Sequence, residues 1–184
     1  MRIEKFEIPN LKIIYPSVFE DPRGYFFESY NFDRFKEAGI HDHFVQDNQS
    51  LSQAGVLRGL HFQTGDFAQS KLVRVIKGAV LDVAVDIRAG SPTYGKHLAI
   101  ELNEKNKLML YVPVGFAHGF LTLSNDTIFS YKCGNFYNKA SEMGIMWNDP
   151  QLNIDWQIEN PLLSQKDNEN LNFEDFNSPF KYQP

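Results

Sequence analysis

Leu72-Val73-Arg74-Val75-Ile76-Lys77-Gly78-Ala79-Val80-Leu81-Asp82-Val83-Ala84-Val85-Asp86-Ile87-Arg88 decides the fold class. Two runs rich in β-branched residues meet at Lys77-Gly78, and Gly90-Ser91-Pro92 closes the second. The pattern predicts a tight hairpin followed by a turn. In the second run Leu81, Val83, Val85 and Ile87 share one face of a strand, and Val80, Asp82, Ala84 and Asp86 share the other. Two carboxylates on one face suit either a solvated exterior or the polar lining of a barrel, where they would orient other groups. Outward from this stretch the same texture continues, with strands expected over His97 to Leu102, Lys107 to Val112, Phe120 to Leu123 and Thr127 to Cys133. Many short strands at close spacing predict an all-β protein, a β-sandwich or barrel with a few short helices. Asn31-Phe32-Asp33-Arg34-Phe35-Lys36-Glu37-Ala38-Gly39 is the one clear helix pattern, with an Asn cap, a closing Gly and two Phe three apart.

The chain has 184 residues and a formal net charge of −5. That length predicts one domain over 1–184, with residues 1–15 as an edge-strand region and 161–184 as a polar tail packed on the barrel. The acidic balance argues against partners that need a basic face, so neither nucleic acid nor membrane is expected. Leu108 to Asn125 carries no formal charge over 18 residues. Its Pro113, Gly115, His118 and Gly119 suit a strand, turn, strand hairpin, with His118 in the turn, better than a membrane span. Cys133 is the only cysteine, a small apolar strand residue by its setting, so no internal disulfide forms and the cytoplasm is the expected location.

The chemistry concentrates in a few blocks. Gln46-Asp47-Asn48 precedes Val56-Leu57-Arg58-Gly59-Leu60-His61-Phe62-Gln63, which sets Arg, His and Gln within six residues of strand-like sequence. On an ideal strand Gly59, His61 and Gln63 share a face and Arg58 points away, unless Gly59 allows a bulge. Tyr131-Lys132 to Tyr137 adds phenols and an amine, and Ser164-Gln165-Lys166-Asp167 adds an amine beside a carboxylate. An imidazole, a carboxylate, a phenol and cations suit proton transfer next to a carbonyl. Nucleophilic catalysis suits the sequence poorly, since no Ser stands in a G-x-S-x-G setting. No metal is expected: Gln63 stands where a second His of a His-x-His pair would be, and His41-Asp42-His43 lies in a polar turn. No glycine-rich dinucleotide loop or P-loop occurs, so neither a nicotinamide cofactor nor an NTPase reaction is expected.

In chain order these blocks, with Phe19-Glu20-Asp21-Pro22-Arg23-Gly24-Tyr25-Phe26-Phe27-Glu28, Lys71-Leu72-Val73, Gly115-Phe116-Ala117-His118-Gly119-Phe120, Glu142-Met143-Gly144-Ile145 and Trp147-Asn148-Asp149-Pro150, resemble the dTDP-4-dehydrorhamnose 3,5-epimerases. The resemblance runs over nearly the whole chain and implies a cupin-type jelly roll, a cofactor-free isomerase and a homodimer. It implies that His61 removes the protons from C3 and C5 of a 4-keto-6-deoxy sugar, paired with Asp167, that Tyr131 reprotonates from the other side, and that Lys71 stabilises the enolate. It further implies that Arg23, Glu28, Gln46, Asp47, Asn48, Arg58, Gln63, Lys71, His118, Tyr137, Glu142 and Lys166 contact a nucleotide-sugar substrate. The same fold also holds enzymes that epimerise one carbon and keto-isomerases; Tyr131 favours epimerisation over isomerisation.

Overall fold

The computed structural model describes residues 1–183. Thirteen strands follow one another along the described residues. β1 (Arg2–Lys5) and β2 (Lys12–Tyr15) pair first, and the small ribbon of β3 (Phe19–Asp21) and β4 (Gly24–Phe26) follows. Helix α1 (Phe32–Glu37) comes next, then β5 (Gln46–Ser52), β6 (Leu57–Gln63), β7 (Lys71–Lys77), β8 (Ala79–Asp86), β9 (His97–Asn103), β10 (Met109–Val112), β11 (Phe116–Thr122) and β12 (Thr127–Cys133). A last short strand, β13 (Glu142–Gly144), completes two antiparallel sheets, ordered β1-β2-β10-β7-β12-β5 and β13-β6-β11-β8-β9. Packed face to face, they form an all-β jelly roll of cupin type.

Helix α1 starts where its cap pattern says it should: the Asn31 side chain accepts from the Arg34 amide, and Phe35 is buried. It lies on the outer face of the six-stranded sheet, where Phe35 and Ile40 cover Ile14, Leu72 and Met109.

Two expectations are corrected. β7 and β8 do not pair as a hairpin: β7 lies between β10 and β12, and β8 between β11 and β9, in the other sheet. Gly78 turns the chain from one sheet to the other with φ +84, packed so closely that a Cβ would stand 2.3 Å from Thr127 Oγ1. β10 and β11 likewise belong to different sheets. β11 begins at Phe116 rather than Phe120, so His118 sits in mid-strand, and the turn is Pro113-Val114-Gly115. A Gly or Pro signal reports where a chain reverses, not which sheet the next strand joins.

The alternation along β8 explains this partition, because both of its faces must be covered. Val80 and Ala84 enter the core between the sheets with Val73, Val75, Leu110, Phe120 and Phe129. Leu81, Val83, Val85 and Ile87 face outward, under Ile145, Leu152, Trp156 and Phe176 of the C-terminal region. Each large side chain so buried contributes about 1.5–3 kcal/mol. The tail is held by short parallel bridges, Val56 to Leu162, Ile145 to Leu171 and Ala89 to Lys181. No helix among the described residues is long and apolar enough to cross a membrane.

Asp82 and Asp86 both point inward and are fully buried. Asp86 is saturated by Arg88, Ser91 and Thr93, a structural knot away from the polar end of the barrel. Asp82 faces that polar end. There the inward positions of β7 change from Val75 and Val73 to Lys71, and those of β12 from Phe129 to Tyr131.

Candidate active site

The central feature is a bulge in β6. His118 of β11 pairs with His61, and Phe120 pairs with Arg58, so two residues of one strand span three of the other. Gly59 absorbs the difference with φ +135; a Cβ there would fall 2.5 Å from Gly119 Cα, so no other residue fits. The bulge resets the alternation, and Arg58 and His61 both line one cleft.

His61 Nε2 lies 2.5 Å from Asp167 Oδ1; the two side chains are 27% and 3% exposed. Asp167 arrives on a 3-10 turn, Lys166–Asn168, of the C-terminal tail. Ser164 Oγ donates to its other oxygen at 2.7 Å and accepts its backbone N–H at 3.2 Å. Burial pushes the Asp167 carboxyl up, but the hydrogen bonds from His61, Ser164 and the Gly59 backbone outweigh it and hold the group below the ordinary carboxylate range.

Facing this pair from the opposite sheet are Tyr131 and Lys71, both lining the same space. Lys71 Nζ donates to the His61 carbonyl at 3.5 Å and lies 6.0 Å from the Tyr131 ring centroid. Burial lowers the Lys71 pKa and raises that of Tyr131, which keeps the phenol protonated at neutral pH. Beside His61, His118 Nε2 stands 3.0 Å from both oxygens of Asp82, one strand away. Burial draws the His118 pKa down, against the pull of Asp82.

The cleft continues to a polar mouth. Two lobes of about 250 Å³ each share His61, Lys71, Tyr131 and Glu142, a joint space suited to a small ligand. Glu142 Oε2 accepts from Tyr137 OH at 2.9 Å and pairs with Lys166. Burial works against ionisation of Glu142, yet the bonds from Lys166 and Tyr137 hold its pKa below the ordinary value. Gln46 Oε1 accepts the Tyr137 N–H at 3.1 Å, Gln46 Nε2 donates to Asn48, and Asn48 donates to Cys133 Sγ. Gln63 is in the wall, but its amide is committed to the backbone of Phe67, Phe136 and Asn138, so it braces two loops and has no donor left for a ligand.

Three expected contact residues lie elsewhere. Arg23 sits on the β3–β4 ribbon, 90% exposed and 2.6 Å from Asp21. Glu28 is tied to Asn31 and Arg34. Asp47 points out of β5 toward Lys132, because Gln46 and Asn48 on either side point in. Two residues with no expected role belong to the site. Ser50 lines the cleft with a buried hydroxyl that has no partner among the described residues; its two-residue spacing from Asn48 was the available signal. Ser164 holds Asp167, and the signal was the Ser three residues before an Asp, a turn-capping spacing. His43 stacks on Phe32 at 4.8 Å, and no three metal-ligating side chains converge among the described residues.

With this geometry in hand, comparison with known proteins is direct. The family model described as dTDP-4-dehydrorhamnose 3,5-epimerase matches residues 5–175. A dTDP-4-dehydrorhamnose 3,5-epimerase of Shigella flexneri is 54% identical over 91% of this chain and 93% of its own. The crystal structure of the dTDP-6-deoxy-D-glucose-3,5-epimerase of Legionella pneumophila, in complex with dTDP-4-keto-L-rhamnose, superposes with a TM-score of 0.95. It is 47% identical and covers 100% of this chain and 99% of that one. The dTDP-4-dehydrorhamnose 3,5-epimerase of Elizabethkingia anophelis gives 0.91 at 53% identity, covering 95% and 97%. The chain that builds an imidazole–carboxylate pair opposite a phenol and an amine inside a jelly roll thus belongs to the dTDP-4-dehydrorhamnose 3,5-epimerase family.

Proposed function

We propose that this protein converts dTDP-4-dehydro-6-deoxy-D-glucose to dTDP-4-dehydro-L-rhamnose by inverting C3 and C5, with no metal or organic cofactor. The observation that carries the reading is the division of the site between the sheets: His61 stands on one and Tyr131 with Lys71 on the other. A sugar ring between them turns one face to a base and the other to an acid, which is what inversion at carbon requires.

The C4 carbonyl acidifies the C–H bonds at C3 and C5. His61 takes the proton, Asp167 bears the resulting imidazolium, and the electron pair moves into the C4 carbonyl as an enolate. Lys71 stabilises the charge on O4. The phenol of Tyr131 returns a proton to the opposite face, and the carbonyl reforms. His61 is then protonated and Tyr131 deprotonated; exchange with water resets both, so solvent hydrogen ends on each inverted carbon. Arg58 and Lys166 suit the diphosphate, since cations at the mouth meet phosphate oxygens. Gln46, Asn48, His118, Tyr137 and Glu142 hold the sugar and nucleotide.

The same reading includes a homodimer. β1 is an unpaired sheet edge, and the neighbouring ribbon exposes Phe19, Tyr25 and Phe26, the first and last directly opposite each other. In such a dimer Arg23 and Glu28, remote from their own cleft, serve the partner's. A cytoplasmic location goes with it, supported by a lone thiol at Cys133 that burial pushes to a raised pKa.

The test is turnover of the keto sugar by chelator-treated protein, coupled to an NADPH-dependent reductase specific for the L-sugar. Stoichiometric NADPH oxidation supports the reading. No oxidation overturns it, and a product inverted at one carbon makes the protein a mono-epimerase.

A further inference from the structure

We propose that Ser164 is a positioning residue that acts on His61 through Asp167, so that the working unit is a relay Ser164–Asp167–His61; this rests on the reading of His61 as the proton-abstracting base. Asp167 divides its carboxylate: Oδ1 faces His61 Nε2 at 2.5 Å, and Oδ2 accepts from Ser164 Oγ at 2.7 Å. The same hydroxyl oxygen accepts the Asp167 N–H. One hydroxyl therefore meets both the far carboxylate oxygen and the backbone N–H of Asp167. The segment just before it is anchored, because Leu162 exchanges backbone hydrogen bonds with Gly55 and Leu57 of the barrel. Asp167 thus belongs to a tail made of turns whose preceding residues are bonded to the barrel.

The second imidazole–carboxylate pair supplies the contrast. Asp82 aims both oxygens at one nitrogen of His118, and no hydroxyl donates to it among the described residues. Only the pair open to the cleft carries the extra donor. An O–H bonded to a carboxylate draws off part of its charge. Ser164 therefore tempers the attraction between Asp167 and a protonated His61.

Other charged and titratable groups also face His61. They are Lys71 and Tyr131 from the opposite sheet, His118 from β11, Glu142 with Lys166 at the mouth, and Arg58 on its own strand. None of these is hydrogen-bonded to the Ser164 hydroxyl, so substitution there reads the relay.

The experiment is an NMR titration of the His61 imidazole in substrate-free wild type, Ser164→Ala and Ser164→Thr, beside pH profiles of kcat/KM. In Ser164→Ala the His61 midpoint rises by about half to one pH unit, and the acid limb of kcat/KM moves with it. Activity then falls about three- to tenfold on the acid side and recovers at alkaline pH. Ser164→Thr, which keeps the hydroxyl, restores the wild-type midpoint. An unmoved midpoint overturns the relay. So does a falling one, since a serine that merely caps the turn would, when lost, loosen Asp167 and leave His61 less well paired. If Ser164→Ala does not fold, Ser164→Cys, near-isosteric with a weak donor, must still raise the midpoint, and an unshifted Cys variant overturns the proposal. The titration needs no substrate, so it decides the relay even if the wild type fails to turn over the keto sugar, an outcome that refutes only the assigned reaction.

Discussion

Two imidazole–carboxylate pairs stand side by side, His61 with Asp167 and His118 with Asp82, and their histidines are register partners on β6 and β11. They contain the same groups and differ in surroundings. His61 is 27% exposed, its Nδ1 has no protein partner among the described residues, and its carboxylate comes from a tail turn carrying a further donor. His118 is 6% exposed, and its carboxylate comes from the next strand of its own sheet. Geometry within a pair does not assign a role; access to the cleft and the load on the far carboxylate oxygen do. On the proposed mechanism the first pair exchanges a proton, and the second holds shape and presents an imidazole that burial keeps neutral.

The sharpest way to break this contrast is at His61. His61→Asn should lower kcat by about 10²–10⁴-fold, as expected for loss of a general base, while calorimetry shows dTDP still binding; wild-type turnover would remove the distinction between the pairs. Asp167→Asn comes next, with a loss of roughly 10²-fold, since the orienting member of such a unit costs less than the base itself. It also has a stability signature. The native Asp167 pKa lies below its ordinary value of 3.8, so its stabilisation is complete above that value and is lost as pH falls through the lower native one. Urea unfolding from pH 6 to 2 should therefore show a shallower acid loss in Asp167→Asn than in wild type.

At His118 the order of effects reverses. His118→Asn should cost stability of about 1–3 kcal/mol by leaving Asp82 buried with a poorer partner, and should reduce turnover less than His61→Asn. Because the native His118 pKa is below 6.5, the unfolded chain takes up its proton first; wild-type stability should fall as pH drops through 6.5 toward the native value. An equal loss of turnover at both histidines would erase the contrast. The smallest effect belongs to Asp47→Asn on the outer face, where the exposed pair with Lys132 is worth about 0–1 kcal/mol. Thermal unfolding and turnover should both stay close to wild type.

How much of this was legible in the sequence follows from how local each signal is. Strand texture, the Asn31 cap and the buried Phe35 depend on near neighbours, and they were readable. The alternation along β8 left Asp82 either solvated or inward, and only the opposing sheet decides. The hairpins expected at Gly78 and between Val112 and Phe120 failed because sheet membership is set by distant partners. Gly59 could be read as a bulge site, but its consequence, Arg58 and His61 in one cleft, needs the register of β11. Asp167 stands 106 residues from His61, so no spacing rule joins them, and only the family resemblance proposed the pairing. That resemblance also named Arg23, Glu28 and Asp47, which this chain does not bring to its own cleft.

The most direct test is to follow hydrogen at the sugar carbons by NMR in D₂O with dTDP-4-dehydro-6-deoxy-D-glucose and chelator-treated protein. Wild type and His118→Asn should both place deuterium at C3 and C5, with His118→Asn slower, and His61→Asn should place none. Deuterium entering both carbons at the wild-type rate in His61→Asn would contradict the assignment of the open His61–Asp167 pair as the base.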